Sequence, residues 1–210
     1  MVQIDMTNSK LTVLEKNIFY YEKAISNHET LIERIEKFDG LADPEKENEY
    51  LITKWKTWGP DENNTFGMQK RVVDSLRADS DSPLYLDLVQ IVLDIETAIK
   101  ACSYDYAKKN NLEIGSLSPL SISKYDKGAN MGKHVDSYDE NGLETISVVG
   151  YINDDYEGGE IEFPEQNIIV KPTAGSIIIF PSQKPYFHSS NIIKNGNKYI
   201  SPGFWKKQKA

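Results

Sequence analysis

The stretch SIIIFPSQKPYFHSS, residues 176–190, carries the strongest signal of how this chain folds. Its first part, 176–180, is an apolar run rich in β-branched residues, and the turn residues Pro181 and Ser182 follow it. A second short segment, 186–190, closes the stretch. Short runs of β-branched and aromatic residues that end at proline or serine are typical of strands. The stretch therefore predicts two strands with a short connection between them.

The same sequence pattern extends in both directions, from residue 117 to the C-terminal part of the chain. Short segments rich in Ile, Val, Tyr and Phe are separated by Gly, Pro, Asn and Asp. These segments predict further strands at 120–125, 145–152, 160–163, 168–170 and 198–205. Short strands at regular spacing are typical of a sandwich or jelly roll.

The first half of the chain is predicted to be mainly helical, after one strand at 11–19. A Ser-x-x-Glu capping box predicts a helix at 27–37. The Ser-Pro pair at 82–83 predicts the start of a longer helix, because proline is well tolerated at the first helical position. Apolar residues then recur three or four positions apart until about residue 110. We expect one stripe of this helix to face the core.

Length and composition indicate the class of protein. A chain of 210 residues is most simply one domain, with the mainly helical part at 1–115 and a β-rich core at 116–208. The net charge of -8 and the pI near 5.0 argue against a nucleic-acid binder, which would need basic patches. The single cysteine, Cys102, excludes an intramolecular disulfide and any site built from several cysteines, so a reducing compartment is expected.

Neither a membrane span nor a secretion signal is predicted. No segment approaches the roughly 20 apolar residues that a spanning helix needs. The N-terminal residues lack the basic and hydrophobic regions of a signal peptide. We therefore expect a soluble, cytoplasmic protein that does not contact a membrane.

Two of the three histidines lie in a pattern that suits a metal centre. His134 and Asp136 are separated by one residue, so alternation along a strand places both side chains on one face. His188 can supply a third ligand from a neighbouring strand. Two imidazoles and a carboxylate form the facial triad that binds non-haem Fe(II) and leaves coordination positions open. Taken alone, however, His-x-Asp is a weak motif.

Further residues strengthen this interpretation. Lys198 begins an otherwise apolar and aromatic strand, and a lysine that points inward there needs an anion. The chain also carries, in this order, Tyr125, Gly128, Tyr151, Gly158-Gly159-Glu160, Lys171-Pro172-x-x-Gly175 and the spacing from His188 to Lys198. Over residues 118–206 this order resembles the Fe(II)- and 2-oxoglutarate-dependent dioxygenases, and within them the prolyl 4-hydroxylase-like group.

The resemblance implies a fold, cofactors and roles for individual residues. The implied fold is an α+β, cupin-like double-stranded β-helix, or jelly roll, whose N-terminal helices buttress the major sheet. His134, Asp136 and His188 are implied to be the catalytic iron ligands. Lys198 is implied to pair with the distal carboxylate of 2-oxoglutarate, Tyr151 to hydrogen-bond the same carboxylate, and Tyr125 to line the pocket. O2 is the second co-substrate, and ascorbate is a candidate further cofactor.

The implied reaction is hydroxylation of a C–H bond with decarboxylation of 2-oxoglutarate to succinate. Its most specific version is 4-hydroxylation of a proline in a peptide or protein partner. Met131 departs from the pattern, because many prolyl hydroxylases carry a tyrosine there. Two alternatives stay open: the same chemistry on another amino acid or a small molecule, and a jelly-roll metal-binding module without turnover. The oligomeric state is not predicted.

Three other features receive plainer interpretations. His28 falls in the first turn of a predicted helix and has no partner motif, so it is not expected to bind a metal. Trp55 and Trp58 are expected to pack in the core. The polar segment 137–143 follows two of the candidate ligands directly and is a candidate lid over bound substrate.

Overall fold

A computed structural model describes residues 9–36, 56–58, 68–72, 83–137 and 144–206. Two α-helices, one short 3₁₀ helix (Pro164–Gln166) and a series of strands lie in these ranges. The helices are α1 (His28–Glu36) and α2 (Pro83–Lys109). The strands are β1 (Lys10–Glu15), β2 (Ile18–Glu22), β3 (Lys56–Trp58), β4 (Met68–Val72), β5 (Ser121–Tyr125), β6 (Met131–His134), β7 (Glu144–Tyr151), β8 (Glu157–Gly158), β9 (Ile161–Phe163), β10 (Ile168–Val170), β11 (Ile177–Pro181), β12 (His188–Ser190), β13 (Ile193–Asn195) and β14 (Lys198–Lys206).

The strands form two antiparallel sheets that pack face to face, with a small third sheet of β13 and β8. The major sheet has the order β1-β2-β11-β7-β14-β5-β4-β3, and the minor sheet has the order β10-β9-β12-β6. Ile178 and Phe180 of the major sheet share one buried cluster with Ile161 and Phe163 of the minor sheet. This arrangement confirms the predicted double-stranded β-helix of jelly-roll type.

The apolar run of β11 is explained by burial on both faces of the major sheet. Ile177 and Ile179 belong to the cluster that contains the helices, whereas Ile178 and Phe180 lie between the sheets. Successive side chains of a strand point to opposite faces, so a central strand covered on both sides favours apolar residues at successive positions. All four side chains are fully buried.

The two helices cover the outer face of the major sheet, as the resemblance implied. Leu31 and Ile35 of α1 pack in one cluster with Ile95 and Ile99 of α2. Burying each such side chain contributes about 2 kcal/mol. Arg34 also joins the helices, since its guanidinium donates from Nη2 and Nε to Asp87 Oδ1 at 2.6 and 2.8 Å. No helix within the described ranges is long and apolar enough to cross a membrane.

The prediction of one strand at 11–19 is wrong, because the structure has the hairpin of β1 and β2 there. The polar residues Lys16 and Asn17 form the turn, and Asn17 has a φ of 69°. Asparagine adopts this left-handed conformation more readily than most residues, so it can end one strand and begin the next. Through β2 the hairpin pairs with β11 and extends the major sheet.

Several short strands carry no clear signal in the sequence and were not predicted: β3, β4, β8 and β13. β6 was predicted only as a strand that holds both His134 and Asp136. β6 has the sequence MGKH and β8 has only two residues. β6 pairs with β12, and β8 pairs with β13, so these strands form through contacts with later parts of the chain. β3 and β4 pair with each other. Trp55, one of the predicted core residues, lies outside the described residues, and so do residues 138–143 of the predicted lid.

Candidate metal centre and co-substrate pocket

Strand pairing brings the two predicted histidine ligands together. His134 is the last residue of β6 and His188 is the first residue of β12, and the two stand opposite each other in the antiparallel register. Directly opposed residues have Cβ atoms about 5 Å apart. The imidazole centroids accordingly lie 4.3 Å apart.

Asp136 completes the group, although it does not lie on the strand. The sequence predicted that His134 and Asp136 share one strand, but β6 ends at His134. The Asp136 carboxylate still turns toward both rings: Oδ1 is 3.3 Å from His134 Nε2, and Oδ2 is 3.5 Å from His188 Nε2. One ligand atom from each of the three residues lies within 4.8 Å of the others.

The backbone orients both imidazoles with Nε2 toward this centre. His134 Nδ1 lies 2.7 Å from the Gly132 carbonyl oxygen, and His188 Nδ1 lies 3.2 Å from that of Tyr186. When Nδ1–H donates to a carbonyl, the Nε2 lone pair is left free for a metal. Two such nitrogens and one carboxylate are the donor set of a non-haem Fe(II) site. The residues therefore fit Fe(II).

The electrostatics favour the protonation state that a metal needs at Asp136 and His188, whereas at His134 they favour the protonated ring. Burial opposes ionisation of Asp136, but the hydrogen bond with His134, the charge of His188 and the Ser147 hydroxyl outweigh it and lower its pKa. Burial lowers the pKa of His188, helped by the charge of His134 and opposed by Asp136. Burial also acts to lower the pKa of His134, but hydrogen bonds with Asp136 and Gly132 raise it. The result is an anionic Asp136 and a readily neutral His188.

An apolar wall fixes the His188 ring. Phe180 meets it edge-on with the centroids 4.6 Å apart, and the Phe163 centroid lies 5.8 Å away. The two phenyl rings also contact each other edge to face, at 4.9 Å. Because close-packed aromatic rings leave little room for rotation, they hold the imidazole in one orientation.

Lys198 lies fully buried between the two sheets, close to the candidate ligands. Its Nζ donates to the Gly159 carbonyl at 2.7 Å and to Ser190 Oγ at 2.8 Å. Burial and the charge of Lys171 lower the pKa of Lys198 to about 7, although Glu160 opposes this shift. In the part of the chain that the structure describes, no carboxylate forms an ion pair with Lys198. A buried ammonium without a counter-charge is costly, and an anionic ligand would relieve that cost.

The two predicted tyrosines lie beside this lysine. Lys198 pairs with Tyr125 across β14 and β5, and its Nζ is 5.4 Å from the ring centroids of both Tyr125 and Tyr151. Burial raises the pKa of both phenols, so they stay protonated and can donate. Neither hydroxyl has a hydrogen-bond partner among the described residues. The structure thus brings together all six predicted site residues in one region between the sheets.

Sequence reasoning missed two serines in this region. Ser190 accepts the hydrogen bond from Lys198, and Ser147 binds Asp136. Ser190 stands two positions after His188 on β12, so the alternation of a strand could have placed it on the same face. Ser147 has no motif around it. Only the three-dimensional arrangement connects it to Asp136.

Gly158 and Gly159 form a turn whose carbonyls each accept a hydrogen bond from a lysine. Both have positive φ values, 77° and 66°, which favour glycine. The Gly159 carbonyl accepts from Lys198, and the Gly158 carbonyl accepts from Lys171 Nζ at 2.8 Å. A Cβ atom on Gly159 would lie 2.5 Å from Ile193 Cδ1. The turn therefore needs glycine both for its backbone conformation and for space.

Several solved structures share the fold. A prolyl-4-hydroxylase from Pseudomonas putida has a TM-score of 0.61 and 14% identity over 92% of this chain and 94% of its own. The viral collagen prolyl hydroxylase of Paramecium Bursaria Chlorella virus-1 has a TM-score of 0.60 and 15% identity over 100% and 99%. A prolyl hydroxylase from Trichoplax adhaerens, solved with a peptide fragment of the hypoxia inducible factor oxygen degradation domain, has a TM-score of 0.61 and 13% identity over 91% and 84%.

A comparison with curated proteins finds no match. A family model described as the 2OG-Fe(II) oxygenase superfamily matches residues 120–206. This span contains the candidate metal centre, Lys198 and both tyrosines. Residues 120–206 of this protein therefore belong to the 2OG-Fe(II) oxygenase superfamily.

Proposed function

We propose that the protein hydroxylates a peptidyl proline at C4, with His134, Asp136 and His188 as the ligands of Fe(II). The superfamily match makes the chain a 2-oxoglutarate-dependent dioxygenase that uses Fe(II), 2-oxoglutarate and O2. The observation that carries the proposed site is the convergence of two Nε2 atoms and one carboxylate within 4.8 Å. Bound Fe(II) would supply the redox chemistry that couples decarboxylation of 2-oxoglutarate to oxidation of a C–H bond.

Lys198 binds the distal carboxylate of 2-oxoglutarate in this proposal. The carboxylate gives the buried ammonium the counter-charge that the described part of the protein does not provide, and it gains a charge-assisted hydrogen bond in return. Ser190 connects this pocket to the metal centre, since it binds Lys198 and lies on the same short strand as His188.

Tyr125 and Tyr151 orient the co-substrate. Their raised pKa values keep the hydroxyls protonated, so each can donate to a carboxylate oxygen. Together with Lys198 they would replace the water that the dianion loses on entering a buried pocket.

The similarity in fold supports a proline-containing peptide as the substrate. The Pseudomonas putida and Trichoplax adhaerens enzymes are prolyl hydroxylases, and the second was solved with a peptide bound. Met131 favours the alternative, which is the same chemistry on another amino acid or a small molecule. Its half-buried side chain packs against the cluster between the sheets, at a position where many prolyl hydroxylases carry tyrosine.

The test is succinate formation from 2-oxoglutarate after anaerobic loading with Fe(II) and addition of O2. Each member of a panel of proline-containing peptides is compared with the same peptide in which alanine replaces proline. We expect succinate to rise with one proline peptide, together with a mass gain of one oxygen atom on its proline. Succinate that no peptide stimulates would overturn the proline assignment and leave the oxygenase chemistry in place.

Substitution of the proposed ligands tests the metal centre. His134→Ala and Asp136→Ala should each abolish iron-dependent succinate formation, because two remaining ligands hold the metal weakly. His28→Ala is the matched control, since His28 lies at the start of α1 and its Nδ1 contacts the Ile25 carbonyl. Near-normal turnover in either ligand variant would contradict the proposed triad. Ascorbate as a further cofactor and the cytoplasmic location stay predictions.

A further inference from the structure

Ser147 is a buried hydroxyl between two apolar residues of β7. It lies on β7 between Ile146 and Val148, which pack on the helix side of the major sheet. Alternation along the strand turns Ser147 to the opposite face, toward the minor sheet. Its side chain is fully buried. A buried hydroxyl is costly unless it is hydrogen-bonded, so its partners indicate its purpose.

Both partners of Ser147 are polar side chains close to the candidate metal centre. Ser147 Oγ lies 2.5 Å from Asp136 Oδ2 and 2.9 Å from Ser182 Oγ. A hydroxyl has one proton, and the short contact with the carboxylate takes it. The second contact, with Ser182 Oγ at 2.9 Å, packs the Ser147 hydroxyl against another buried polar group. Ser182 is fully buried as well, and its carbonyl accepts the N–H of Ser137 at 3.0 Å.

These contacts replace the support that a strand would provide. β6 ends at His134, so Asp136 lies outside the ladder hydrogen bonds that the described strands form. The Ser147–Ser182 pair holds the carboxylate through its side chain, and Ser182 also holds the backbone of the next residue. Both serines come from the major sheet side, at β7 and directly after β11. The rigid sheet thus fixes a ligand that lies in an irregular segment.

We infer that Ser147, backed by Ser182, is a positioning residue that keeps Asp136 a ligand through one oxygen only. This inference rests on the proposed metal centre. The hydrogen bond engages Oδ2, which lies 3.5 Å from His188 Nε2, and leaves Oδ1, 3.3 Å from His134 Nε2, without this donor and available to the metal. A carboxylate that bound through both oxygens would fill one of the three coordination positions that the co-substrates need.

The test compares Ser147→Ala and Ser182→Ala with Ser201→Ala. Ser201 is the matched control, because it is also a buried serine of the major sheet but its hydroxyl has no hydrogen-bond partner among the described residues. Co(II) is added to each metal-free protein under anaerobic conditions, and its dissociation constant and visible absorption are measured. Thermal unfolding of each metal-free variant checks that the fold is retained.

We expect Ser147→Ala to bind Co(II) about 10- to 100-fold more weakly than the wild type, as for other hydrogen-bond partners of metal ligands. Ser182→Ala should show a smaller loss, and Ser201→Ala should bind like the wild type. The visible spectrum of Co(II) should change in Ser147→Ala, because the freed Oδ2 can join the coordination sphere. A purely structural role would change the unfolding temperature and leave this spectrum unaltered.

The outcomes separate this inference from the proposed function. Co(II) binding that is lost in His134→Ala but unchanged in affinity and spectrum in Ser147→Ala would overturn the role of Ser147 alone. Wild-type protein that binds no Co(II) would overturn the metal centre, and the inference with it. Tight wild-type binding that Ser147→Ala weakens would support the inference even if no peptide stimulated succinate formation.

Discussion

At the scale of single residues, the burial of Lys198 lowers the free energy of unfolding. Its pKa falls to about 7, whereas a lysine in an unfolded chain titrates near about 10.4. The native state therefore binds fewer protons than the unfolded state between these two values. The free energy of unfolding of the ligand-free protein should therefore increase as the pH rises from 7 to about 10.4, and it should be lowest at pH 7 and below.

The same titration predicts how 2-oxoglutarate binding depends on pH. The co-substrate needs the charged ammonium, so its apparent dissociation constant should rise about tenfold per pH unit above pH 7, which is about 1.4 kcal/mol. Lys198→Met removes the charge but keeps an apolar side chain of similar length. This variant should bind 2-oxoglutarate weakly and without that pH dependence. Both dissociation constants are measured with Co(II) bound. If they depended on pH equally in the wild type and in Lys198→Met, Lys198 would not be the residue that binds the carboxylate.

The chemistry of the site could be predicted at this scale where side chains are rare or conspicuous. Two of only three histidines and one lysine in an apolar strand are conspicuous in the sequence. Ser147 and Ser190 could not be found in that way, because serine is common and tolerated in many settings. Their importance depends on contacts of 2.5 and 2.8 Å with residues outside their own strands, which no local pattern encodes.

At the scale of elements, the turn at Gly158-Gly159 connects backbone geometry to the pocket. Gly159→Ala should destabilise the protein by about 1–3 kcal/mol through the positive φ and add a clash with Ile193 and Tyr156. It should also weaken 2-oxoglutarate binding, since the Gly159 carbonyl holds Lys198. Gly128→Ala is the control: its φ is 91°, but an added Cβ meets nothing within 4 Å. Denaturant unfolding and 2-oxoglutarate titration measure the two effects.

If the two alanine variants were equally destabilised, and 2-oxoglutarate bound equally well to both, the turn would have no part in placing Lys198. Strain from the left-handed backbone would then be the whole effect at each position.

Helices and strands could be predicted where an apolar pattern repeats over many residues or where both faces of a strand are buried. α2 begins at Pro83 and ends at Lys109, as its proline start and its apolar stripe indicated. β11 was recognisable because both of its faces are covered. The hairpin of β1 and β2 reads as one strand, since its turn occupies only two residues that are not glycine or proline. β8 and β13 are too short for any pattern.

At the scale of the whole molecule, the major sheet separates the residues that stabilise the fold from the residues of the candidate site. The helices and the larger part of the core lie on one face, and the candidate ligands and Lys198 lie on the other. Substitutions on the helix side should therefore change how firmly the protein is folded, with little effect on the folded enzyme.

Ile99→Ala tests this separation. Ile99 is fully buried in α2, and truncating such a residue costs about 2–5 kcal/mol. The melting temperature should fall by several degrees, at about 2–4 °C for each kcal/mol in a chain of this size. The rate of succinate formation per folded molecule should stay within about twofold of the wild type at a temperature where both are folded. A rate loss that exceeded the unfolded fraction would show that the helices influence the site directly.

The pairing of His134 with His188 has a consequence for the chain as a polymer. β6 is the outermost strand of the minor sheet, and β12 lies beside it although it comes much later in the sequence. An ion bound by both imidazoles would be a removable cross-link between these two strands, comparable to a covalent bridge that closes a long loop. Amide hydrogens of β6 should then exchange with solvent more slowly when the ion is present. The metal centre would thus also stabilise the edge strand of the minor sheet.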